Sequence, residues 1–346
     1  MKGKLNALAA ATLTVLTLLC TSNCKKEESF EPAASVDNQL APTMSMKNHS
    51  GHHFLVNTLA IVETDPVTAG VTRVCSAKDG TLYATSANTG KVYKISSSGT
   101  VSLIAEGLNT PIGIKVGPKG EVYVANFNKG VIKITPDGTV STVPISLALS
   151  WPEDIAVADD GTLYIADTFN HRIIKVTPGG IATVFAGNAS VQGTKDGMGS
   201  KASFSLPTSI KLAKDGYLWV LDGGSIGTAG YIEGRNVRKI SLQGKVSTVF
   251  KVCSITSITD LAVAKRDRYF NPSPDENLFV TFDDNSISHL TGTGKLTPFA
   301  INTTIGNVDG PLKDALFFHP QGISIREDAI YIADHGNASI RKIVKK

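Results

Sequence analysis

The sequence predicts an all-β protein, a six-bladed β-propeller of four-stranded antiparallel blades, and three observations predict it. A phrase made of an apolar strand, a Gly or Asp turn and a second strand carrying an aromatic recurs six times. Its second strands read Leu82-Tyr83-Ala84, Val122-Tyr123-Val124, Leu163-Tyr164-Ile165, Leu218-Trp219-Val220, Leu278-Phe279-Val280 and Ile330-Tyr331-Ile332. Repeats this short cannot bury their own apolar faces and must pack on one another. The two inner strands of each repeat are apolar throughout, so both their faces need covering, which a radial array achieves without a capping layer. Finally, the chain stops after Ile340-Arg341-Lys342-Ile343, the third strand of repeat six, while Phe54-Leu55-Val56-Asn57-Thr58-Leu59-Ala60 stands unclaimed before repeat one. Pairing these two segments supplies the missing fourth strand and closes the ring without exposed edges.

Taken in order, residues 1–23 read as a lipoprotein signal peptide: Lys2 and Lys4, then a largely apolar stretch from Ala7 to Leu19 that is too short to span a bilayer. Small residues must precede a lipid-modified cysteine. Thr21-Ser22-Asn23 suit Cys24 better than Leu19 suits Cys20, so Cys24 is the expected lipidation site. The following Lys25-Lys26-Glu27-Glu28-Ser29 is similar to the charged tether of lipoproteins carried to the cell surface across an outer membrane. The alternative is an ordinary cleaved signal peptide that leaves a periplasmic or secreted protein. Residues 24–52, rich in Glu, Pro, Ala, Ser and Asn without periodicity, read as a flexible tether, and residues 53–346 as the propeller. Within repeat three the four strands are legible as 155–158, 163–166, 172–176 and 181–185, with Asp160-Gly161 and Pro178-Gly179-Gly180 at the turns.

Formal charge is +4, and losing Lys2 and Lys4 from the 34 basic residues leaves 32 against 30 acidic ones. No basic run or aromatic-basic stripe accompanies this near-neutral balance, which argues against a nucleic-acid partner. Cys75 and Cys253 sit in repeats that a ring places far apart, so two unpaired thiols are expected rather than a disulfide.

These residues resemble NHL-repeat propellers of the bacterial exported lipoprotein type. The match is carried by Trp151-Pro152-Glu153-Asp154-Ile155-Ala156-Val157, Asp160-Gly161-Thr162-Leu163-Tyr164-Ile165-Ala166-Asp167 and Asn170-His171-Arg172-Ile173-Ile174-Lys175-Val176, and it returns from Pro320 to Ile343. Repeats one and five depart from it, since neither has Pro before its first strand, and Asp283-Asp284-Asn285 leads into a weak third strand. A second phrase is duplicated at identical spacing: Asp196-Gly197, Ala202, Phe204 and Pro207 against Asp309-Gly310, Ala315, Phe317 and Pro320. We read it as a turn or short helix whose Ala and Phe plug the gap between blades. Asn126, Asp167, Asp222 and Asp334, closing successive second strands, recur too regularly for a metal site and are expected to hold turns through side-chain to backbone bonds.

The inserts at 188–206 and 302–319 and the Gly-rich stretch from Gly223 to Gly230 all belong to one face of the disc, whereas Lys265-Arg266-Asp267-Arg268-Tyr269 decorates the other. Long loops on a rigid scaffold are where binding sites form. The candidate ligand-binding residues at the channel mouth are Arg73, Glu153, Asp154, Ser209, Asp260 and Gln321, beside Thr208, with Lys115 and Lys211 lining the channel. A wet channel whose groups bond only water is the competing reading. Amidating lyases of similar ring plan place metal-binding His just after the blade-opening Pro, where this chain has Ile112, Glu153, Thr208 and Gln321. The Glu-Gly-Pro phrase of lactonases is missing, and His319 stands alone near the mouth, so neither a catalytic set nor a required cofactor is expected. The sequence thus predicts a monomeric, non-catalytic module that binds an extracellular protein or glycan and touches the membrane only through its lipid. The alternative is a lyase or hydrolase using a divalent cation held by Glu153, Asp154 and Asp260.

Overall fold

The structure, a computed structural model, describes residues 54–64, 70–223, 235–252, 256–264, 277–327 and 329–346. Cys20, Cys24, the signal and tether segments, most of the Gly-rich stretch, Cys253 and the 265–269 insert lie outside these residues. Six antiparallel sheets follow one another along the chain, each beginning at its innermost strand. In blade three the strands are Pro152–Val157, Leu163–Asp167, Arg172–Val176 and Ala182–Gly187. The inner strand therefore starts at the Pro itself, and Glu153 and Asp154 lie within it rather than before it.

Closure occurs as the chain ends require. Phe54–Ile61 pairs antiparallel with Ser339–Lys345, with Val56 opposite Ile343, and completes blade six. Blades four and six each carry a fifth strand, which the sequence did not foretell. Gly197–Met198 pairs with Lys245–Lys251, and Gly310–Pro311 pairs with the closing strand. These short strands belong to the duplicated phrase. Its Ala202, Phe204, Ala315 and Phe317 are all buried, as the plug reading expected. Asp196 accepts from the amide (3.0 Å) and hydroxyl (2.8 Å) of Thr248, and Asp309 does the same with Thr58 (2.8 and 3.0 Å), so each insert is buttoned onto the rim of the next blade.

The recurring second-strand residues bond elsewhere than expected. Asn126, Asp167, Asp222 and Asp334 do accept backbone N–H groups, but those of Asn109, Ser150, Ser205 and Phe318, at 2.6 to 2.8 Å, each two residues ahead of a blade-opening Pro. Their backbone bonds clasp the segment arriving from the preceding blade, while Asp167 and Asp334 also hold their own turns through the side chains of Asn170 (2.9 Å) and Asn337 (2.8 Å). The clasp has a clear purpose: Thr110, Trp151, Leu206 and His319, the residues just before those prolines, sit at φ between 50° and 60°. A side chain in that region costs roughly 1 kcal/mol or more and persists only where its surroundings hold it. In three blades an arginine of the third strand takes the other carboxylate oxygen: Arg172 on Asp167, Arg238 on Asp222 and Arg341 on Asp334. Arg238 and Arg341 are fully buried, reach Asp196 and Asp309 of the duplicated inserts, and lie over the rings of Phe204 and Phe317. Burial pushes the Asp222 carboxyl up to about 6 despite the facing Arg238 guanidinium.

Blade one, where Ser86 stands in place of the Asp, solves the same problem with a residue the sequence reading overlooked. Glu63, just after the closing strand, accepts from Gly70 N–H (3.2 Å), Ser86 Oγ (3.1 Å), Thr89 Oγ1 (2.6 Å) and Tyr93 Oη (2.7 Å). The third strand of blade five, expected to be weak, is a regular Ile287–Thr291 with four of its five residues buried.

Candidate functional site: the channel and its mouth

Strand pairing aligns the six innermost strands residue by residue, so the channel is built in levels. The second level after the blade opening, nearest the loop-rich face, holds Thr72, Ile112, Glu153, Thr208, Thr259 and Gln321. One residue further in come Arg73, Gly113, Asp154, Ser209, Asp260 and Gly322. Two further lie Cys75, Lys115, Ala156, Lys211, Ala262 and Ser324. Alternate residues on a strand share a face, so side chains of the third and fifth levels turn toward the next blade. The two glycines at the third level are forced by this crowding. A Cβ on Gly113 would lie 2.5 Å from Asp154 Cα, and one on Gly322 2.8 Å from Arg73 Cα.

Four of the six candidate residues meet in one network. Asp154 Oδ2 accepts from Lys211 Nζ (2.6 Å) and from Ile210 N–H (2.9 Å), and Ser209 Oγ lies 3.1 Å away. Asp260 accepts from Ser209 Oγ (2.8 Å) and Ile323 N–H (3.1 Å), with Lys211 Nζ at 3.2 Å. Ser209 has a single hydroxyl proton and so serves one carboxylate at a time. Arg73 Nε stands 3.7 Å from Asp260, and its two amino groups donate to the carbonyls of Thr72 (3.3 Å), Thr259 (3.1 Å) and Gln321. Arg73, Asp154, Ser209 and Asp260 are all buried. Together with Lys211 they run from blade one through blades five and four to blade three and plug the channel. The competing reading, in which these groups bond only water, does not hold for Asp154 and Asp260, because each carboxylate is engaged by a cation and a backbone N–H group.

The charges set one another. Burial alone would raise Asp260, but Lys211, then Arg73, with bonds from Ser209 and Ile323, hold its carboxyl below the usual carboxylate range. Burial acts to lower Lys211, yet Asp154 and Asp260 outweigh it and raise the ammonium above its ordinary value. For Lys115 burial wins and the shift is downward. The Cys75 thiol, free and buried, is pushed up to about 12 by burial and stays protonated.

The side chains of Glu153 and Gln321 stay partly exposed one level above the plug, with the Gln321 carbonyl bonded to Arg73. Gln321 Nε2 lies 3.2 Å from His319 Nδ1. His319 is not alone: the ring of His335, from the 3₁₀ turn His335–Asn337, stands edge-on at 5.8 Å, and burial, then His319, keep His335 below its ordinary pKa. On the opposite rim, Trp151 touches Phe127 (3.8 Å between ring centres) and Phe169 (4.6 Å), and Phe169 is 43% exposed. Sequence reasoning passed over this cluster and His335, although Phe127 and His335 directly follow a recurring Asn or Asp and Phe169 comes two residues after Asp167, positions in the connection to the third strand that place them on the mouth. Among the described residues no group of three or more His, Cys, Asp or Glu converges as metal ligands, and no helix is long and apolar enough to cross a membrane.

Fold and site together define a six-bladed propeller whose channel is closed by an ionic plug beneath a mouth edged with histidines and aromatics. The chain belongs to the virginiamycin B lyase family, which residues 24–305 match. It is 31% identical to the virginiamycin B lyase of Nocardia farcinica over 135 residues, 36% of this chain and 48% of that protein. It is also 26% identical to teneurin-m of Drosophila melanogaster over 217 residues, 55% of this chain but 8% of that one. The chain thus spans less than half the length of either relative. Among solved structures, an auxiliary nutrient binding protein of Bacteroides thetaiotaomicron superposes with a TM-score of 0.65 at 16% identity, covering 85% of this chain and 77% of that one. A catalytically inactive virginiamycin B lyase of Staphylococcus aureus, solved with quinupristin, gives 0.51 at 20% identity, covering 82% and 83%. A gluconolactonase of Xanthomonas campestris gives 0.59 at 12% identity, covering 84% and 89%. At these identities the likeness is one of fold.

Proposed function

We infer that this protein is an NHL-type propeller exported as a lipoprotein on Cys24, exposed at the cell surface or in the periplasm, and that it binds a protein or glycan on its loop-rich face. One observation carries the reading: Asp154 and Asp260, the carboxylates that a metal-dependent lyase or lactonase would need open, are spent on the plug. At the mouth, the Gln321 amide and the Trp151 and Phe169 rings suit hydrogen bonding and stacking rather than bond breaking. The nutrient-binding Bacteroides protein of the same fold is consistent with this use. Binding of the full chain to a glycan array and to extracellular protein extracts tests it. A ligand should emerge whose affinity falls at least about tenfold, or ~1.4 kcal/mol, in Glu153→Ala/Gln321→Ala, and a ligand indifferent to both changes would refute the assignment. The anchor is tested separately: Cys24→Ala should move the protein from the membrane fraction to the soluble one.

A second reading follows from family membership and the His319–His335 pair. His335, held neutral by burial, has the protonation state that a general base needs near neutral pH. Cleavage of virginiamycin B or quinupristin by the purified chain, lost in both His319→Ala and His335→Ala, would establish a lyase in place of a binding module.

A further inference from the structure

The two duplicated inserts share one backbone but not one surface. Gly193 N–H donates to the Phe204 carbonyl (3.0 Å) as Gly306 N–H does to that of Phe317 (3.1 Å), and Ser203 N–H donates to the Lys195 carbonyl (3.0 Å) as Leu316 N–H does to that of Val308 (3.1 Å). Where the blade-four insert has Gln192, Lys195, Ser203 and Ser205, the blade-six insert has Ile305, Val308, Leu316 and Phe318. The insert folds without these apolar side chains, since its twin forms the same bonds with polar ones. Nor are they hidden: Ile305 is 61%, Val308 44% and Phe318 39% exposed, and Leu316 is partly so. They adjoin one another. Leu316 stands opposite Val308 and lies on Gly306, where a Cβ would come within 2.6 Å of its Cδ1. Phe318 lies on Gly336, where no Cβ would fit against its ring, and Asn337 donates to the Gly306 carbonyl (2.8 Å), which ties the two glycine segments together. The exposed apolar residues of the twin, Val191 and Met198, fall at other positions. The insert also offers this shelf no free charge. Val308 replaces Lys195, Asp309 is taken by Arg341 and Thr58, and Lys313 and Asp314 face each other at 3.9 Å beyond Gly310–Pro311.

We propose that this shelf docks an uncharged, apolar segment of a partner protein. The inference rests on the binding role given above to the loop-rich face and selects a protein over a glycan. A glycan would bring hydroxyls to side chains that neither donate nor accept, and three of the four have no ring on which a sugar could stack, so its polar groups would be buried without compensation. A charged segment would be desolvated against a surface that returns no opposite charge. Leu, Ile, Val or Phe side chains of a partner meet neither cost, and they cover the apolar area that Ile305, Val308 and Phe318 leave in water.

The twin supplies the test variant. Ile305→Gln/Val308→Lys/Leu316→Ser/Phe318→Ser gives the blade-six insert the residues with which blade four forms the same backbone bonds. Labelled full-length wild type and variant are applied to an array of random synthetic peptides and, in parallel, to a glycan array. Peptides rich in Leu, Ile, Val and Phe should bind the wild type, and their Kd, measured by fluorescence anisotropy, should rise at least about tenfold in the variant. Equal affinity for the two proteins, or no peptide bound, overturns the proposal. A glycan that needs Glu153 and Gln321 but ignores the shelf would preserve the loop-rich face as a binding surface while removing the protein site, so the two readings fail separately. A dimer seen in sedimentation and abolished by the variant would place a second copy of this chain on the shelf, which also overturns the proposal. Should the fourfold variant not fold, Ile305→Gln alone, at the most exposed of the four positions, should weaken the same peptides about fivefold, and unchanged binding refutes the site.

Discussion

Arg341→Ala should destabilise the protein by about 3–5 kcal/mol, enough to lower the melting midpoint by roughly 10 °C. Arg341 is fully buried and binds Asp334 (2.9 Å), Asp309 (2.7 Å) and the carbonyls of Leu316 (2.9 Å) and Val308 (2.8 Å), while its guanidinium lies 5.2 Å from the centre of the Phe317 ring. Truncation strands the buried Asp334 carboxylate, which also clasps the opening of blade six, and it frees the insert that carries the fifth strand. Arg172→Ala provides the internal comparison. The same register holds Asp167 in blade three, but the Arg172 side chain is 14% exposed and water can replace it, so the expected loss is about 1 kcal/mol. Chemical denaturation of the two variants checks the ranking. Equal losses would mean that burial is not what sets the strength of the clasp.

The second large effect is expected at the plug. Asp260→Ala leaves Lys211 and Arg73 facing one carboxylate instead of two and orphans the Ile323 N–H, at a cost of about 3–5 kcal/mol. The same residue shapes the acid limb of stability. Its folded pKa lies below that of the unfolded chain, ~3.9. Its contribution is therefore complete above that value and is lost as pH falls through the folded one. The stability difference between wild type and Asp260→Asn should be constant above pH ~5 and shrink below pH ~4. A gap unchanged down to the lowest measurable pH would show that Asp260 is not held ionised by its neighbours.

Much of this was legible in the residues. Apolar pairs of inner strands with an aromatic in each second strand specify blades, and the orphaned segments 54–60 and 340–343 specify how the ring closes, because strand pairing is a local, periodic property. The duplicated Ala and Phe positions announced their burial by chemistry alone. Less readable was the partner of each polar residue. Asp167, Asp222 and Asp334 look like turn residues in a linear reading, yet the N–H groups they accept are 16 or 17 positions earlier, across a connection between blades. Glu63 has no counterpart in the other repeats, so no periodicity points to it; only the position of Ser86 in the folded blade reveals the vacancy it fills.

The candidate residues divide along the same line. Arg73, Asp154, Ser209 and Asp260 were found, together with Glu153 and Gln321, as polar residues near the start of the innermost strands, but that position does not say which charges meet, because contacts across the ring join positions up to 248 residues apart. By itself, then, the order of residues determined the blade and the number of blades and brought the polar groups to the start of the inner strands, since these follow from alternation and repetition along a strand. The tertiary structure alone decided that Lys211 would hold both aspartates and Lys115 neither. That choice depends on which side chains confront one another across a low-dielectric channel, and there distances of a few ångströms outweigh any rule of sequence spacing.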